Sequence, residues 1–138
     1  MRICLATMLV LSAATANAAD PPGGVAELVR ALEHKDGTKR LHAAAALGEL
    51  GAKAIAALPA LTKALDDPHR MVRFYAVEAL GKVGGTLTPA LKARLIKVVK
   101  TDESWIVARQ AALALERLDP KRLQADTILN WARAMPRR

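Results

Sequence analysis

The chain has little of what most catalytic chemistry requires. Its single cysteine is Cys4. From residue 5 onward there is no thiol, which excludes disulfides, cysteine nucleophiles and thiolate metal sites there. Aromatic residues make up 3% of the sequence, and alanine is abundant. That composition suits thin helical layers. No stretch alternates apolar and polar residues as a half-buried strand would, which argues against a β-sandwich. There is no Ser-His-Asp arrangement and no Gly-rich phosphate loop. The glycines fall in an early spacer or at the ends of helical phrases. The carboxylate pairs Asp66-Asp67 and Asp102-Glu103 fall in equivalent turns between helices, where acids act first as caps.

The longest apolar run is at the N-terminus. Arg2 gives a short positive region, and Ile3 to Ala14 are mostly apolar but too few to span a bilayer comfortably. Ala16-Asn17-Ala18 places small residues at the −3 and −1 positions of a cleavage site. Residues 1–18 therefore read as a signal peptide, with an ordinary N-terminal helix or an uncleaved anchor as the alternatives. The expected destination is export, periplasmic or secreted, with no transmembrane segment in the mature chain. Residues 19–24, which include Asp20-Pro21-Pro22-Gly23-Gly24, form a spacer that is stiff and then loose.

From Val25 onward the chain is repetitive. The phrase VRFYAVEALGKVG, Val72 to Gly84, carries Val72, Tyr75, Ala76, Ala79, Leu80 and Val83 at helical spacing. It has an earlier copy from Lys39 to Gly51, displaced by 33 residues, and a later one from Val107 to Leu118, displaced by 35. Ahead of each copy lies a second apolar helix, marked by Val25 to Leu32, Leu58 to Leu65 and Leu91 to Val99. A period of this length is the signature of a solenoid built from stacked helix pairs. The turns carry matching punctuation at Asp36-Gly37-Thr38, Asp67-Pro68, Thr88-Pro89 and Asp119-Pro120. Lys121 to Met135 read as a final capping helix.

The phrase resembles the HEAT repeat family, in particular the short HEAT-like repeats first associated with phycobilisome lyases. Asp67, Pro68, Val72, Arg73, Ala76, Ala79, Leu80, Gly81 and Gly84 carry the resemblance. The first copy has Lys39 in place of the Val and lacks the Asp-Pro. The third has Ala108 where the Arg is expected, with Arg109 one place late, and Glu116 and Asp119 where the glycines stood. The resemblance implies an all-α solenoid of about three helix pairs plus a C-terminal cap, with residues 25–136 as the repeat domain. It also implies an arginine–aspartate ladder, each Arg pairing with an Asp of the same or the adjacent repeat. Asp36 with Arg40 and Asp67 with Arg73 are the expected pairs.

Metal-binding HEAT-like enzymes use repeated His-Glu pairs. This chain has no His-Glu dipeptide, and His34, His42 and His69 do not share metal-pair spacing. The expectation is a non-enzymatic protein without metal or cofactor. Its partner is expected to be a protein, with nucleic acid disfavoured and the oligomeric state open. Candidate contacts on the second helix of each pair are Arg40, His42, Glu49, Arg70, Arg73, Phe74, Glu78, Lys82 and Arg109. Phe74 lies off the apolar stripe, so it is either an exposed aromatic anchor or a filler of the groove to the next repeat.

The charge is uneven. After residue 18 there are 20 basic and 13 acidic side chains, a net charge of +7, and most of the excess lies beyond Thr88. Arg94, Lys97 and Lys100 share one side of the fifth helix, and Lys121 and Arg122 extend the basic field. Such a field favours an acidic partner. It leaves two alternatives to a protein-binding module: an accessory subunit of an envelope enzyme or a lyase-like component, and a polyanion binder acting through the basic C-terminal face.

Overall fold

The structure is a computed structural model that describes residues 24–120. The expected signal peptide, most of the expected spacer, the expected C-terminal capping helix, Lys121 and Arg122 all lie outside the described residues. Within them are six α-helices: α1 (Val25–Ala31), α2 (Gly37–Leu50), α3 (Leu58–Lys63), α4 (Arg70–Val83), α5 (Pro89–Thr101) and α6 (Trp105–Leu118). Two 3-10 segments, Gly51–Ala57 and Ala64–Asp66, flank α3. The helices pack in two layers. The second helices, α2, α4 and α6, lie side by side with α4 in the middle, and α1, α3 and α5 back them.

The repeat is visible in the core. Leu47, Leu80 and Leu115 hold equivalent places and are fully or almost fully buried. Ala43, Ala76 and Ala111 do the same one turn earlier. The buried arc of α4 is wider than the apolar stripe of the sequence. Val77 is completely buried, whereas Tyr75, which belonged to that stripe, is only partly so. The cause is position. A helix with neighbours on both flanks and a backing layer hides about half its circumference or more.

Two sequence features set the spacing. A Cβ on Gly48 would come 3.3 Å from the Ala79 Cα, and one on Gly81 would come 3.3 Å from the Ala114 Cβ. These last-turn glycines therefore mark where the second helices touch backbone to backbone. Gly51 and Gly84 end α2 and α4 with φ of 54° and 71° and ψ of −133° and −139°. That conformation is essentially open only to glycine.

The caps divide. Asp36 caps α2 by accepting from the Thr38 N–H at 2.8 Å, and Thr88 caps α5 ahead of Pro89. Asp67-Pro68 does not act as the expected cap and first-turn proline. The residue preceding α4 is His69, and the Asp67 carboxylate accepts from the His69 N–H and from an arginine of the preceding repeat.

The run Gly37–Asp66, 30 residues that include an 18-residue window of mean hydropathy 1.4, is by length and composition apolar enough to cross a membrane. It is not one rod. A straight helix would hold Arg40 and Asp67 about 40 Å apart. Here their side chains meet at 2.7 Å, because the chain reverses at Gly51.

Candidate functional site

Three sets of ion pairs cross between repeats, and together they show which charges remain available. The first runs along the turns. Arg40 donates from Nε and Nη2 to both carboxylate oxygens of Asp67, at 2.7 and 3.0 Å. Arg73 does the same to Asp102, at 2.8 and 3.0 Å. Each guanidinium also donates to carbonyls of its own turn, His34 and Lys35 for Arg40, Asp67 and Pro68 for Arg73. These fork-to-fork contacts are the strong kind of charged hydrogen bond. All four side chains are at most 15% exposed.

The ladder therefore runs between neighbouring repeats. The pairs expected from the sequence, Asp36 with Arg40 and Asp67 with Arg73, are each displaced by one unit. The reason is the turn itself. Asp36, Asp67 and Asp102 each accept from the N–H two residues on, at 2.8 Å. That fixes the Asp67 and Asp102 carboxylates toward the repeat before them. Burial alone would raise the Asp67 carboxyl, but the Arg40 guanidinium and the His69 N–H outweigh it and hold it below its ordinary value. Bonding to Asp67 and Asp102 keeps Arg40 and Arg73 more firmly protonated.

The second set lies on the first helices. Lys63 reaches Glu33 at 3.0 Å, and Arg94 contacts Asp66. The basic face expected on α5 is thus smaller than its sequence suggests. Arg94 turns toward the preceding repeat, leaving Lys97 and Lys100 exposed. A cleft of about 400 Å³ beside it is lined by both signs of charge, including Arg73, Lys97, Asp66 and Glu103.

The third set crosses the open face of the second-helix layer. Lys82 bonds Glu49 of α2 at 2.8 Å and Glu78 of its own helix at 3.0 Å. The hydrogen bond from Lys82 holds the Glu49 carboxyl below its ordinary value. On the same face of α4, Phe74 and Tyr75 meet edge to face with centroids 5.3 Å apart. Both are partly buried against the core.

Repeat period, paired helices and the turn ladder are on hand, and a family model of HEAT repeats matches residues 25–116. The chain belongs to the HEAT repeat family. No curated protein matches it.

A HEAT chain of this architecture is suited to a protein-interaction or scaffold role. Of the sequence-derived contacts, His42, Arg70 and Lys82 are exposed, and Phe74, Glu78 and Arg109 are half-exposed. Arg40 and Arg73 stand apart from these, because their guanidinium groups are consumed by the ladder. Phe74 packs on the core and keeps an exposed portion. Sequence reasoning missed Met71, Ile106, Leu113 and Arg117, which hold outward positions on α4 and α6. Their signal was present: the periodicity that assigned Val72, Ala76 and Ala79 to the core puts Met71 on the flank of that stripe, where it is half-exposed. Among the described residues no three His, Cys, Asp or Glu side chains gather in metal-binding geometry.

Proposed function

We propose that this chain is an exported HEAT-repeat scaffold that binds a protein partner on the open face of α2, α4 and α6. The observation that carries the reading is the half-exposed Phe74–Tyr75 pair in the first half of the middle helix. Aromatic side chains are enriched among the anchors of interfaces. Met71 lies one turn before the pair on the same helix, and Ile106 of α6 is 39% exposed. The arginine ladder runs along the turn edge and leaves this face clear.

Export rests on the composition of residues 1–18 and is tested by the N-terminal mass of the purified protein, which should correspond to a chain starting near Ala19. Binding is tested by a pull-down from the envelope fraction in low and in high salt. A discrete protein retained in high salt and lost on Phe74→Ala supports the proposal. Heterogeneous anionic material that washes off with salt overturns it and assigns the function to Lys97, Lys100 and the basic residues beyond them.

A further inference from the structure

The two grooves between the second helices are built on one register but carry different charge. The α2–α4 groove is lined by Ala44, Ala45, Gly48, Glu49, Tyr75, Glu78, Ala79 and Lys82. In it Lys82 is satisfied twice, by Glu49 across the groove and by Glu78 one turn back on its own helix. The repeat shift carries this arrangement onto the α4–α6 groove. Arg117 takes the place of Lys82, Lys82 takes the place of Glu49, and Leu113 takes the place of Glu78.

The stem of Arg117 lies where that register puts it, since a Cβ on Gly81 would be 3.7 Å from its Cδ. Arg117 thus has a cation across the groove and a leucine one turn back. It makes no ion pair among the described residues. Glu116, beside it, holds the register position of Gly81, which is the side of a second helix turned away from the preceding one. Glu78 is the acid nearest by register, and Lys82 already holds it. By the same shift Gln110 takes the place of Tyr75, Leu113 is half-exposed, and Phe74 lies one turn before Glu78.

We infer that the α4–α6 groove takes an acidic protein segment, with a carboxylate on Arg117 and a neighbouring apolar side chain against Leu113 and Phe74. The inference rests on the open-face reading above and narrows it to one groove and one chemistry. The partner carboxylate supplies what Glu49 supplies in the other groove. Charge complementarity favours a carboxylate-bearing strand or helix over a neutral apolar one.

The test uses the full chain and a fluorescent peptide of alternating Glu and Leu, compared with the same peptide carrying Gln for Glu. The acidic peptide binds the tighter of the two. Arg117→Glu weakens it at least about tenfold, and Arg117→Gln weakens it in the same direction. Arg117→Glu also keeps the fold, because it puts an acid across the groove from Lys82. Lys53→Glu, the same change of charge at an exposed site on the 3-10 segment, leaves binding within about twofold.

Equal loss from Lys53→Glu overturns the inference in favour of net charge. Displacement of the peptide by equimolar inorganic polyphosphate overturns it in favour of a polyanion surface. Loss on Phe74→Ala with no effect of Arg117→Glu overturns this inference and leaves the open-face reading standing. No effect of either variant overturns both.

Discussion

Removing Arg73 should uncouple the last helix pair from the rest of the solenoid. In Arg73→Ala four donated contacts disappear, two to the Asp102 carboxylate at 2.8 and 3.0 Å and two to the turn carbonyls of Asp67 and Pro68 at 2.8 and 3.4 Å. Asp102 keeps the Ser104 N–H but loses its cation while only 6% exposed. Hydrogen bonds to a charged group contribute about 1.5–3 kcal/mol, and breaking a fully buried pair costs about 3–5 kcal/mol. Arg73 is 15% exposed, so solvent recovers part of that. The expected loss is about 2–3 kcal/mol, equivalent to a fall in Tm of about 10–20 °C for a domain near 100 residues. Circular dichroism during heating and urea titration measure it. Asp102→Ala and the double variant complete a cycle whose coupling should exceed about 1 kcal/mol. Because each repeat touches only its neighbours, amide exchange should quicken first in α5 and α6, while α2 holds its protection. A loss under about 0.5 kcal/mol, or strict additivity in the cycle, would refute the reasoning.

The same geometry sets further outcomes. Gly81→Val should destabilise the chain by about 1–3 kcal/mol in urea titration, because overpacking at the α4–α6 contact exceeds the gain from removing a glycine from the helix. Asp67 ionises below its ordinary value of 3.8, so its contribution is complete above that value and is lost as the pH falls through the lower folded one. Stability measured from about pH 6 to about pH 2 should therefore fall more steeply at the acid end for the parent than for Asp67→Asn. Arg94→Gln should cost only about 0.2–1 kcal/mol, because its pairing with Asp66 is exposed. The loss should shrink further in about 0.5 M salt.

The fold was largely legible because the repeat states it three times. Leu47, Leu80 and Leu115 recur at the spacing of a stacked unit, and Gly51 and Gly84 close helices where the phrase ends. The ladder residues were legible as types but not as pairs. Arg40 lies closer in sequence to Asp36 than to Asp67, and only the stacking of one turn above another decides for Asp67. Arg94 illustrates the same limit, since a helical wheel groups it with Lys97 and Lys100 while the neighbouring repeat draws it to Asp66. Val77 was missed because a two-sided neighbourhood widens the buried arc of α4 beyond its apolar stripe. Arg117 drew no notice in the sequence for a related reason. It becomes distinctive only when the ion pairs of the preceding groove show what an equivalent cation would otherwise hold.

The open face is tested most directly by site-specific photo-crosslinking in the intact envelope. A photoreactive residue in place of Phe74, and in a second variant in place of Ile106, is compared with one in place of Ala93 on the outer side of α5. The account predicts a discrete protein adduct of the same mass from Phe74 and Ile106 and none from Ala93. An adduct from Ala93 alone, or no adduct from either open-face position, would contradict it.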